Sequence, residues 1–134
     1  MSLDEPRFNT WITNVATRRL QELGAGQPAV ALAVLTSDDG FEIAAYRGGT
    51  NSGRVAAMSS SLQALSEALV REANLGAGCS VILEAQEGAI AVVRLAAGNL
   101  RASLSVVTSG GGTLGQLLWA ARNCCQLLEE ELRH

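Results

Sequence analysis

The residues able to do chemistry in this chain are few, and their spacing keeps them apart. The one histidine is His134, the last residue. The interior can therefore hold no Ser-His or Cys-His nucleophile pair and no histidine metal site. The three cysteines, Cys79, Cys124 and Cys125, lack metal-ligand spacing. Neighbouring side chains on a helix diverge by about 100°, so Cys124 and Cys125 read as small apolar residues rather than a redox pair. Asp38, Asp39 and Glu42 could be drawn as a cation site, but Asp-Gly turn chemistry accounts for the two aspartates. The glycine-rich stretch 48–53 fails the phosphate-loop pattern, because the chain has no lysine. A second such stretch, 109–113, could offer backbone N–H groups to an anion at the start of a helix; a connector is the simpler reading.

Composition narrows the classes further. At 134 residues the chain is expected to form one domain, residues 1–134. All ten cations are arginines, scattered along the chain, and the net charge is −3. That balance argues against nucleic acid, which requires clustered positive charge. Charged residues make up 17% and apolar residues 48%, so more surface is expected to be buried than one small core needs. No apolar run reaches the length of a membrane span, and the N-terminus does not read as a signal peptide. A cytoplasmic protein with no membrane or nucleic-acid partner and no cofactor is expected.

The elements follow from punctuation and periodicity. Asp4-Glu5-Pro6 predicts a helix start. Phe8, Trp11, Ile12, Val15, Ala16, Leu20 and Leu23 supply its apolar face, and Gly24 its stop. Arg18-Arg19 near its end are expected to be solvated. Ala29 to Leu35 is continuously apolar, which predicts a strand covered on both faces and helices on both sides of the sheet. The Asp39-Gly40 turn sends it back as a second strand, Phe41 to Arg47. Three more strands, Cys79 to Glu87, Ala89 to Ala96 and Leu100 to Thr108, read as an antiparallel meander. A last helix, capped by Thr113, has a buried stripe of Leu114, Leu117, Leu118, Ala121, Cys124, Cys125, Leu128 and Leu132. Trp119 falls on the opposite side as a candidate partner contact. Glu129 to Glu131 read as a solvated helix end.

The middle helix, Gly53 to Glu72, capped by Asn51 or Ser52, is the element on which the rest turns. Val55, Met58, Leu62, Leu65 and Leu69 predict its core face, and Ser60, Gln63, Glu67 and Arg71 a wet one. Beside the apolar face runs a strip of small residues, Ala57, Ser61, Ala64 and Ala68, that lets a second helix approach closely. The third strand, with Val81, Ile82 and Leu83, carries no Lys, Pro or early charge that would discourage pairing at a sheet edge. A homodimer interface is expected at Ala57, Ser61, Ala64, Leu65, Ala68, Val81, Ile82 and Leu83.

The order helix, hairpin, helix, three-strand meander, helix resembles the roadblock/dynein light-chain family, including bacterial members that regulate Ras-like GTPases in gliding motility and polarity. The likeness is carried by Asp39-Gly40-Phe41-Glu42-Ile43-Ala44, by Val55-Ala56-Ala57-Met58-Ser59-Ser60-Ser61-Leu62, and by Gly115 to Leu117. It spans roughly residues 5 to 132. The resemblance implies an α+β fold of three layers, α/β/α. In it a five-stranded antiparallel sheet carries the middle helix on one face and the terminal helices on the other. It implies a homodimer with a continuous ten-stranded sheet. It further implies a non-enzymatic protein that binds a Ras-like small GTPase and modulates its nucleotide cycle, with no catalytic residue of its own. The alternative is a scaffold or assembly subunit that binds a non-GTPase protein through the same dimer surface. A small-ligand sensor fits less well, because the strands offer no polar-lined pocket. An arginine acting in trans could come from Arg47, Arg54 or Arg101.

Overall fold

Asn9 opens the first helix, α1 (Thr10–Gly26), its side-chain oxygen accepting the Trp11 N–H at 2.7 Å. Residues 8–133 are described by a computed structural model. The expected start at Asp4-Glu5-Pro6 lies outside the described residues, and Phe8 precedes the helix instead of joining it. Val15, Ala16, Leu20 and Leu23 are buried as the periodicity predicts, whereas Trp11 is exposed. Gly24 does not stop α1. It sits buried within the helix, where a Cβ would collide with the Tyr46 ring, so glycine is there to admit that ring.

The apolar run becomes β1 (Val30–Ser37), and the turn at Gly40 leads into β2 (Glu42–Tyr46). The turn closes through the Gly40 N–H to the Ser37 carbonyl at 2.9 Å. Next come α2 (Thr50–Glu72), β3 (Ser80–Ala85), β4 (Gly88–Ala97), β5 (Leu100–Ser109) and α3 (Leu114–Leu132). The five strands form one sheet in the order β2-β1-β5-β4-β3, every pair antiparallel. The fold is α+β, and β3 stands at an edge.

Strand alternation gives the sheet two dissimilar faces. One face is apolar at its centre: Ala33 and Leu35 of β1, Ala102, Leu104 and Val106 of β5, and Ala91, Val93 and Leu95 of β4. They pack against Leu20 and Leu23 of α1 and Leu117, Ala121, Cys125 and Leu128 of α3. In α3 the buried stripe is the expected one with Ala120 added; Leu114 is exposed and Leu118 half-buried. Thr113 caps α3, accepting the Gln116 N–H at 3.1 Å. Arg18 and Arg19 are not free: both bond Glu131, Arg19 Nε at 2.9 Å, and so tie the end of α3 to α1. Glu131 is therefore an ion-pair partner and not a solvated end residue.

The other face meets α2 and is partly polar. Its rows across the strands are Thr36–Ser103–Arg94, then Val34–Ser105–Val92–Val81, then Leu32–Val107–Ile90–Leu83. α2 crosses the strands over the first two rows. It starts beyond the end of β2, donates from Ser60 Oγ to the Asp38 carbonyl at 2.8 Å, and reaches β4 where Glu67 meets Arg94 at 3.2 Å. The three-layer arrangement expected from the continuously apolar β1 is the observed one.

Candidate functional site

Helix α2 is seated the opposite way round from the expectation. Met58, Leu65 and Leu69, expected in the core, are 72%, 69% and 67% exposed. Val55 and Leu62 are only half-buried. The side facing the sheet is Ser52, Ala56, Ser59 and Gln63, all buried, at steps of four, three and four. The physical reason lies in the sheet. Its rows beneath α2 carry Thr36, Ser103 and Ser105, and short or hydrogen-bonding side chains match them better than leucines would. Gln63, expected to be wet, is 1% exposed, and its Nε2 donates to the Cys79 carbonyl and to Glu67 at 3.2 Å each.

Arg94 completes this side of the helix, bonding Asp38 at 3.0 Å and Glu67 at 3.2 Å. Asp38 is thereby engaged as an ion-pair partner. The helix start also differs from the expectation. Gly49 precedes the first turn, and Ser52 lies inside it, its Oγ accepting the Gly49 N–H at 3.2 Å.

The small strip is where a partner could reach it. Ala57, Ser61, Ala64 and Ala68 are all exposed, and they adjoin the exposed Met58, Leu65 and Leu69. On β3, Val81 and Leu83 share the α2 face, whereas Ile82 turns to the other face and packs against the apolar core. Among the described residues no strand pairs with the outer side of β3. Backbone N–H and C=O groups on that side stand ready for another strand. The site is thus an exposed apolar helix face together with an open sheet edge.

The remaining candidates sit apart from it. Trp119 is 64% exposed on α3, as its spacing predicts. It stands between two open depressions of about 250 and 270 Å³. A larger depression, about 390 Å³, lies between the β3–β4 turn and the Gly110–Gly112 approach to α3. Arg101 lies by the β1–β2 turn, where its carbonyl accepts the Asp38 N–H, while Arg47 follows the opposite end of β2. Arg54 is exposed near the start of α2. Cys124 and Cys125 diverge as expected, their thiols reaching the Arg19 and Val93 carbonyls respectively. Burial pushes the Cys124 thiol up to about 12 and the Cys125 thiol higher, so neither forms a nucleophilic thiolate near neutrality. His134 lies outside the described residues.

The polar seat under α2 was not found from the sequence, although it had a signal. Ser52, Ala56, Ser59 and Gln63 follow the same helical spacing as the outer small strip, and the alternation of Ser103 and Ser105 along β5 marks the surface they meet.

A five-stranded antiparallel sheet with one helix across one face and two on the other is the fold of roadblock/LC7 domains. The gliding protein MglB from Thermus thermophilus has it with a TM-score of 0.78 at 18% identity, over 96% of this chain and 97% of that one. A roadblock/LC7 domain from Streptomyces avermitilis superposes with a TM-score of 0.76 at 20% identity, over 88% of this chain and 98% of that one. Myxococcus xanthus MglB gives 0.70 at 15% identity, over 94% and 97%. No family model matches the sequence, and comparison with curated proteins gives no match. The likeness is one of fold.

Proposed function

We propose that this chain is a non-enzymatic homodimeric regulator that binds a Ras-like small GTPase and modulates its nucleotide cycle. The observation that carries the reading is the outward apolar face of α2 beside the unpaired edge of β3, set in a fold shared with MglB. In the dimer, Ala57, Ser61, Ala64 and Ala68 of two subunits meet across a two-fold axis, Leu65 packs beside them, and the β3 edges pair through the backbone of Val81, Ile82 and Leu83. Small residues along a helix let the two axes approach closely, and Met58 and Leu69 close the seam on its flank. The dimer then acts by positioning the switch loops of the GTPase, which biases hydrolysis or exchange.

Two measurements test this reading. Sedimentation of the purified chain should give a dimer. GTP turnover by a Ras-like GTPase from the same organism should change when the chain is added. A monomer at all concentrations, or neither binding nor altered turnover, overturns the proposal. A tight complex with another protein and unchanged turnover would leave the scaffold reading in its place.

A further inference from the structure

The turns of the meander decide which backbone groups of β3 face outward. Two-residue turns close both of its hairpins, Gln86-Glu87 between Ala85 and Gly88, and Gly98-Asn99 between Ala97 and Leu100. The residues flanking such a turn exchange backbone hydrogen bonds with each other. Ala85 therefore turns its N–H and C=O toward β4, and by alternation so do Leu83 and Val81. The far end of β4 agrees. Ala96 has the same parity as Gly88 and lies beyond the reach of β3, and its N–H bonds Glu129 at 3.5 Å instead of a strand. Ser80, Ile82 and Glu84 are left with N–H and C=O pointing out of the sheet.

The side chains of the same three residues share the face that carries α3. Ile82 packs there against the core, and Arg122 of α3 extends over the edge, its Nη2 donating to Ser80 Oγ at 3.4 Å. Arg122 and Glu84 are both exposed. Among the described residues neither takes part in an ion pair. A base thus stands over one end of the β3 edge and an acid projects from the other, on one face. Such an edge is complementary to its own copy turned through a two-fold axis.

An axis perpendicular to the sheet keeps both copies of α2 on one face and sets the two β3 edges antiparallel. With the axis at Ile82, that residue faces its copy, and Ser80 faces Glu84 of the partner subunit at each end. Every outward backbone group of the strand is then paired. Sliding one strand by two residues sets Glu84 opposite Gly78, or Ser80 opposite Gln86, both outside the strand. In the matched register directly opposed Cβ atoms are about 5 Å apart. The partner's Glu84 carboxylate therefore comes up beside the guanidinium already held at Ser80. On the α2 face Val81 meets the partner's Leu83, which covers a side chain 44% exposed in the single chain.

We propose that the β3 edges of two copies pair antiparallel about Ile82, and that Arg122 of each subunit forms an ion pair with the partner's Glu84. This rests on the homodimer proposed above and gives it a register and a charged contact on the side away from α2. Ser80, Ile82 and Glu84 carry the backbone bonds, while Val81 and Leu83 meet through their side chains. The ion pairs act chiefly on specificity, favouring a second copy of this chain in one register over another apolar edge.

The test uses dimers mixed from isotope-labelled and unlabelled full chain. Nuclear Overhauser contacts between subunits should join the α-protons of Val81 and Leu83, the non-hydrogen-bonded pair of this register, where the chains come closest. Glu84→Arg should weaken dimerisation roughly tenfold in sedimentation, because it sets like charges together at both symmetric ends. Arg122→Glu should do the same, and the two changes combined should restore dimerisation to within about threefold of wild type. Added salt should shrink the single-variant losses. A dimer in which Val81 or Leu83 contacts its own copy, or in which β3 makes no contact between subunits, overturns the proposal. So do single-variant losses that simply add in the double variant. These outcomes leave the homodimer standing, whereas a chain monomeric at all concentrations removes the homodimer and this pairing together.

Discussion

The two faces of the sheet are built on different principles. Beneath α1 and α3, Leu20, Leu35, Leu95, Leu104 and Leu128 interlock with essentially no exposure. Beneath α2, the contact is made by serines, a glutamine, a threonine and small apolar residues. Apolar burial stabilises roughly in proportion to area, whereas buried hydroxyls contribute little net free energy and cost some when unpaired. The first face therefore holds the fold together, and the second holds a helix in place while leaving that helix's apolar surface free. The difference teaches that exposure of Met58, Leu65 and Leu69 is a property of how α2 is seated, not a local irregularity.

The largest effect should come from the apolar face. Leu104→Ala removes a side chain with 0% exposure at its centre. It should lower unfolding free energy by about 3–4 kcal/mol, measurable by urea denaturation. A loss no greater than that of a trimmed surface residue would remove the contrast between the faces. Next in size is an effect on association. Ala64 is exposed on the α2 strip, so Ala64→Arg should leave the subunit folded. In the homodimer proposed above, it should weaken self-association by roughly a hundredfold or more, because an unpaired charge would enter the seam. An unchanged dimer in sedimentation would place the seam elsewhere. Smaller still, and opposite in sense, is Thr36→Val. Thr36 is 0% exposed with Oγ1 unpartnered. The substitution should leave stability within about 1 kcal/mol of wild type or raise it; a clear destabilisation would show that the hydroxyl has an unseen role.

The sequence made one face far more legible than the other. The positions of Val15, Ala16, Leu20 and Leu23 follow from helical spacing alone, and the alternation of Leu100, Ala102, Leu104 and Val106 places β5 correctly. Both inferences succeed because on that face burial and hydrophobicity coincide. In α2 they do not coincide. Hydrophobic periodicity selects Val55, Met58, Leu62, Leu65 and Leu69 as the buried side, but Ser52, Ala56, Ser59 and Gln63 take it. A helix with two candidate faces cannot be oriented without knowing the surface it meets, and that surface is assembled from β1, β4 and β5, distant in sequence. Pairing of Arg94 with Asp38 and Glu67, 56 and 27 residues away, was hidden for the same reason. The small strip of Ala57, Ser61, Ala64 and Ala68 was legible as a smooth surface, since its meaning depends on side-chain size alone.

The smallest expected effect separates electrostatic from apolar contributions on the α1/α3 side. Hydrogen bonds from Arg18 and Arg19 hold the Glu131 carboxyl below the usual carboxylate range, against the opposing effect of desolvation. A carboxyl with a depressed folded pKa stabilises the fold above its unfolded pKa, about 4.3, and loses that contribution as pH falls through the lower folded value. Glu131→Gln should therefore lower the melting temperature slightly near neutrality, where wild-type Glu131 is charged. The gap between variant and wild type should close as pH falls through the lowered folded value, where Glu131 becomes neutral like the glutamine. Because the pair is solvent-accessible, added salt should narrow the gap at neutral pH as well. The Leu104→Ala deficit should persist across the same pH and salt range, since it arises from packing. If the Glu131→Gln gap instead persisted at acid pH and high salt, it would not arise from the charge of Glu131, and the ion pairs with Arg18 and Arg19 would not be what ties the end of α3 to α1.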